Sequence, residues 1–105
     1  MSDMNVVVLA GRLVADPELT QVGENSVANF AIAVHDFKGG EEFTNFFDAS
    51  AWGKLAETVS TYLVKGRWAI VRGKLRHETW ENEGQKRSRV RVLAQDVQML
   101  PVGSK

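Results

Sequence analysis

The sequence predicts a small all-β barrel, and three observations carry that reading. Apolar and polar side chains alternate in short runs, turn residues separate the runs, and only one segment shows helical spacing. The chain has 105 residues, enough to bury a real core in one domain and too few for two. With 44% hydrophobic and 25% charged residues it lacks the low-hydrophobicity, high-charge composition of a disordered chain.

Five strands are expected. The first runs from Asn5 to Val14 and ends at Asp16-Pro17, a pair that cannot continue a ladder. A polar loop from Asp16 to Ser26, with Gly23 and Asn25, leads to the second strand, Val27 to Asp36. Lys38-Gly39-Gly40 then turns the chain into the third strand, Phe43 to Trp52. Leu55, Val59, Tyr62 and Leu63 recur at helical spacing, with Gly66 where a C-cap is expected, so this segment is read as the one helix. The fourth strand spans Trp68 to Thr79, Asn82-Glu83-Gly84 reverses the chain, and the fifth spans Arg87 to Leu100 before Pro101. Five strands with one short helix between the third and fourth is the element order of the OB-fold, a five-stranded Greek-key barrel that accommodates oligonucleotides or oligosaccharides.

Composition removes several classes of chemistry. The absence of cysteine excludes disulfides, thiolate metal sites and a cysteine nucleophile, and fits a reducing compartment. His35 and His77 alone are too few for a metal site and match no ligand spacing, so neither metal nor cofactor is expected. Asp48, Ser50 and His35 could be drawn as a hydrolytic triad, but no nucleophile elbow accompanies them. Gly39-Gly40 has no phosphate-loop or dinucleotide fingerprint around it. No apolar stretch approaches the roughly 20 residues of a membrane span, and no leader signature precedes the first strand, which points to a cytoplasmic protein with no membrane partner.

Net charge is zero, which on average argues against a phosphate-bearing partner. The average conceals a partition. Between Lys65 and Arg91 nine basic residues stand against three acidic ones, a balance of +6, and the remainder of the chain carries −6. Because side chains alternate across a sheet, parity decides where these charges point. In the fourth strand Ala69, Val71, Gly73 and Leu75 read as core, leaving Arg72, Lys74, Arg76 and Trp80 outward. In the fifth, Val90, Val92 and Ala94 read as core and Arg87, Arg89 and Arg91 as outward. In the third, Phe47, Ala49 and Ala51 point inward, while Phe46, Asp48, Ser50 and Trp52 point outward. In the second, Phe30, Ile32 and Val34 are buried, which leaves His35 and Phe37 on the other side.

Phe37, Phe46, Trp52 and Trp80 thus form a candidate set of exposed rings among cations. A nucleobase stacked on such a ring is worth about 1 to 3 kcal/mol whatever its sequence, and flanking cations take the phosphates. Duplex DNA hides its base faces, so the combination selects single strands. The phosphate candidates are Arg12, Lys54, Arg72, Lys74, Arg76, Arg87, Arg89 and Arg91. For Phe46, core or interface packing competes evenly with stacking; Trp68 reads as packing or a subunit contact, and Tyr62 as core.

Asn5-Val6-Val7-Val8-Leu9-Ala10-Gly11-Arg12-Leu13, Asp16-Pro17-Glu18-Leu19, Val27-Ala28-Asn29-Phe30, Trp52-Gly53-Lys54-Leu55-Ala56-Glu57 and Tyr62-Leu63-Val64-Lys65-Gly66 together resemble the bacterial single-stranded DNA-binding proteins. The resemblance covers about Asn5 to Leu100. It implies an OB-fold single-stranded DNA-binding domain over residues 1–100, with 101–105 a short C-terminal remnant or tail. It also implies self-association, as a homotetramer or a homodimer, and work on single strands in replication, recombination and repair, with no catalysis. Carried over by position, the family's stacking aromatics fall on Phe46, Trp52 and Trp80, and more loosely on Phe37. The family often has tryptophan where Phe46 and Phe37 stand, and its usual acidic, hydrophobic C-terminal tip has no counterpart before Lys105. Either the tail has been truncated or this is a compact variant, and a second reading is a tail-less accessory OB protein of primosome, phage or plasmid type that acts mainly by docking another protein. A third, a small nuclease or hydrolase, lacks a convergent catalytic cluster.

Overall fold

The computed structural model describes residues 3–100; Pro101 and the 101–105 segment lie outside the described residues. The elements are β1 (Val7–Leu13), β2 (Glu18–Val22), β3 (Asn25–Lys38), β4 (Glu41–Trp52), α1 (Lys54–Tyr62), β5 (Trp68–Asn82) and β6 (Gln85–Met99). They form one sheet in the order β1-β5-β6-β4-β3-β2, which β1 closes by pairing also with β3. A short parallel contact, Ala49 with Val92 and Ser50 with Leu93, joins β4 to β6. Counting β1 and β2 as two halves of one strand broken around Asp16-Pro17, this is the five-stranded OB barrel with its single helix between the expected third and fourth strands.

The expected loop from Asp16 to Ser26 is corrected in part, because it contains β2. All five β2 residues are exposed, so no apolar alternation marks it. It is held as a ladder against β3, from Glu18 opposite Asn29 to Val22 opposite Asn25. A strand that buries nothing leaves only its turn, at Gly23, as a signal.

Two-residue turns set the register of the long hairpins. Lys38 pairs with Glu41 around Gly39-Gly40, and Asn82 with Gln85 around Glu83-Gly84. All four turn residues have positive φ, the type I′ geometry that matches the twist of paired strands.

The core is built from Leu13, Ala28, Phe30, Ile32, Ala49, Ala51, Val71, Val92 and their neighbours, with Ala56, Val59 and Leu63 of the helical segment sealing one end. Two glycines permit the strands to close. At Gly11 a Cβ would collide with the Ala33 carbonyl oxygen where β1 crosses β3, and at Gly73 with the Leu93 carbonyl oxygen beside the register shift between β5 and β6. Asn5 extends the β1 side of the sheet with its side chain, donating to the Leu75 carbonyl (2.8 Å) and accepting from its amide (2.9 Å).

Several expected core positions have the right parity but little cover. Leu75 and Val90 are 45% and 57% exposed, and Phe47 is 37% exposed. The β5–β6 hairpin runs past the barrel as a two-stranded ribbon with no second layer beneath it. Tyr62 is also corrected: it is exposed, because the buried stripe of α1 is Ala56 and Val59, continued by Leu63, with Tyr62 at its edge. The helix ends at Tyr62 with Leu63 as the extended C-cap, and Gly66 instead serves the turn into β5, where its amide donates to the Leu13 carbonyl. No helix among the described residues is long and apolar enough to cross a membrane.

Candidate nucleic-acid interface

The β5–β6 register places the cations and Trp80 on one face. Arg76 stands opposite Arg91, Glu78 opposite Arg89 and Trp80 opposite Arg87. Two arginines directly across from each other repel, and on the Arg91 side the charge is offset by Glu78. Its Oε1 accepts from Arg89 Nε at 3.1 Å and lies 3.8 Å from Arg91 Nη1. The Arg89 guanidinium in turn lies over the Trp80 ring, 5.3 Å from Cζ to the centroid.

Arg91 is unlike the rest of its row. Its side chain is only 14% exposed. Nη2 donates to Asn29 Oδ1 at 2.8 Å and to the Ala49 carbonyl at 3.4 Å, while Nε is buried without a hydrogen-bond partner among the described residues. Ser50 Oγ donates to the same Asn29 oxygen at 2.9 Å. This network ties β6 to β3 and β4 where their parallel pairing is short, and it explains why Ser50, outward by parity, is buried.

Trp52, at the end of β4 and 41% exposed, shares a cavity of about 210 Å³ with Asn29, Arg76, Glu78 and Arg91. Trp52 and Arg76 of the neighbouring hairpin thus line the same space. Lys54, exposed at the first position of α1, follows Trp52 by two residues. Next to this cavity a cleft runs between Asn29, Ala31 and Asp48 on one side and Arg89 and Arg91 on the other. Asp16 and Glu18 also line it, so the cleft carries carboxylates as well as cations.

The remaining candidates lie apart from these two groups. Phe46, 67% exposed, stands opposite Ala33, which stands opposite Arg12 on β1. Arg12 lies over the Trp68 ring at 5.5 Å, so Trp68 is engaged from outside the barrel. Phe37, 68% exposed, sits opposite Glu42 near the tip of the β3–β4 hairpin. Arg72 faces Asp96 at 4.0 Å, and Lys74 is half-buried opposite Leu93.

Sequence reasoning passed over Asn29 and Glu78. Parity alone could have found both, since Asn29 shares the outward side of its strand with His35 and Phe37, and Glu78 lies between Arg76 and Trp80. The role of Asn29 depends on β6 approaching β3, which no local pattern reveals, whereas that of Glu78 follows from the β5–β6 hairpin register. No cluster of three metal-ligating side chains occurs among the described residues.

Comparison with known proteins agrees with this geometry. The model of the "Single-strand binding protein family" matches residues 4–100. A single-stranded DNA-binding protein of Treponema pallidum is 43% identical over 95% of this chain, and this chain spans 60% of that protein's length. One from Aquifex aeolicus is 38% identical over 92% of this chain, which covers 70% of it. Among solved structures, a Plasmodium falciparum SSB complex with ssDNA superposes with a TM-score of 0.89, covering 96% of this chain and 98% of that one. At 21% identity that likeness is one of fold alone. Matched along nearly all its described length, the chain belongs to the single-strand binding protein family.

Proposed function

We propose that this chain binds single-stranded DNA without sequence preference and catalyses nothing. Bases stack on Trp80 and Trp52, and with smaller contact area on Phe46 and Phe37. Arg12, Lys54, Arg72, Lys74, Arg76, Arg87 and Arg89 take phosphates. Arg91, expected from its parity as a phosphate contact, acts mainly as an internal strut. The observation that carries the reading is the alternation on the β5–β6 face, where Arg76, Trp80, Arg87 and Arg89 lie on one side of a ribbon that projects from the barrel. The relatives' names support it, as does the solved complex that shares the fold.

Work at single strands in replication, recombination and repair, in the cytoplasm and at the nucleoid, belongs to the same proposal. So does assembly into a homotetramer. Its support is the row Val8, Ala10 and Arg12 of β1 opposite Arg72, Ile70 and Trp68 of β5, an outer face on which Val8 is 58% exposed. Sedimentation equilibrium measures the assembly directly.

The binding test is a titration of tryptophan fluorescence with oligo-dT at low and high salt, with duplex of equal length as control. Quenching by oligo-dT alone, weakened by salt and by Trp80→Ala, is the expected result. A folded protein with no quenching would overturn the stacking mechanism and favour docking of another protein instead.

A further inference from the structure

Trp80, the ring best placed to stack a base, is 43% exposed, but one of its faces is already occupied in the free protein. Arg89 is directly opposite Glu78, yet its guanidinium reaches diagonally to lie over Trp80. Glu78 holds it there through Nε at 3.1 Å. The side chains of the pair are 49% and 35% exposed, so it can open without disturbing the core. A nucleobase stacking on that face of the indole must take the place the guanidinium occupies.

We propose that Glu78 is a positioning residue that latches Arg89 over Trp80, so that the interface is self-capped and DNA binding exchanges one occupant of the ring for another. The base replaces the guanidinium on the indole, and the released guanidinium passes from the Glu78 carboxylate to a phosphate. The inference rests on the reading of this face as the single-strand site.

The magnitudes favour an attenuator rather than a block. An exposed ion pair and an exposed cation–π contact each hold by a factor of roughly two to five. A stacked base is worth a factor of roughly five to 150. DNA therefore opens the latch, at some loss of affinity. Salt loosens the same ion pair while it weakens phosphate contacts, so the latch attenuates binding most at low salt.

The test compares Glu78→Gln, Arg89→Gln and the double variant of the full chain for affinity to oligo-dT. Glu81→Gln is the charge control, since Glu81 carries the same charge on the opposite face of β5. Glu78→Gln should bind roughly two- to fivefold tighter at low salt. The gain should disappear in the Arg89→Gln background and clearly exceed any general charge effect seen in Glu81→Gln. An unchanged Glu78→Gln, or an equal gain in either of the other backgrounds, would overturn the latch. Acrylamide quenching of the free proteins provides a readout without DNA: Glu78→Gln should expose its tryptophans more than the wild type, and equal quenching would count against the latch. If the wild type fails to bind oligo-dT at all, the reading of the site fails, and the acrylamide comparison still decides whether the ring is capped.

Discussion

Arg87 and Arg91 lie four residues apart on the same face of β6, and their removal should have opposite consequences. Arg91→Ala deletes a guanidinium that is 14% exposed and bonded to Asn29 and the Ala49 carbonyl. A hydrogen bond from a charged group is worth about 1.5–3 kcal/mol. The 3.8 Å approach to Glu78 adds little, because that carboxylate is 35% exposed. Asn29 keeps its bond from Ser50, which holds the loss near the middle of the range, about 2 kcal/mol. For a domain of this size the melting temperature should fall by roughly 8–16 °C. Arg87→Ala, at an exposed position, should alter stability by no more than about 0.5 kcal/mol, while lowering the slope of log affinity against log salt by about 0.7. Urea denaturation and salt-dependent oligo-dT titration separate the two effects. Equal stability of the two variants, or a reduced salt slope in Arg91→Ala with stability intact, would refute the strut and return Arg91 to the phosphate row.

Gly73→Ala should cripple folding, because its Cβ would meet backbone rather than a side chain that can move; circular dichroism and expression yield check this. Ile32→Ala, at a fully buried site, should cost about 2–5 kcal/mol in urea denaturation. Tyr62→Ala, exposed on the edge of α1, should cost little, and a loss comparable to that of Ile32→Ala would show that Tyr62 packs more firmly than its exposure indicates.

The fold was legible where burial imposes a period. Phe30 and Ile32, Ala49 and Ala51, Ala69 and Val71, Val92 and Ala94 each mark a strand covered on one face, and all are buried. Legibility failed where burial does not write the pattern. β2 is exposed on both faces and exists through its ladder with β3, so its residues carried no signal. Leu75 and Val90 keep the inward parity of a barrel strand although the barrel has ended beneath them. Parity correctly put Trp80 and the arginines on one face, because the register follows from the two-residue turn at Glu83-Gly84. It could not separate Arg91 from Arg87, since that difference comes from β3 and β4 closing against the middle of β6, through contacts more than 40 residues apart in sequence.

The charge partition bears on how a chain with no net charge can hold a polyanion. At physiological salt the field of a surface charge decays over about 8 Å, so a phosphate on the β5–β6 ribbon senses Arg76, Arg87 and Arg89 and little of the distant acids. The carboxylates that subtract locally are Glu78, bonded to Arg89 on the ribbon itself, and Asp16, Glu18 and Asp48, which line the cleft beside Arg89. At about 10 mM salt the screening length grows to about 30 Å, comparable with the molecule's 42 × 37 × 37 Å extents. The whole acidic remainder of the chain then repels the strand as well. Affinity for oligo-dT should therefore rise as salt falls, then flatten below roughly 20 mM, where a uniformly basic binder would continue to climb. Titrations across that range decide the matter: a plot of log affinity against log salt that stays straight to the lowest salt would mean that the acids lie too far from the bound strand to matter, and that the local row of cations alone sets the field.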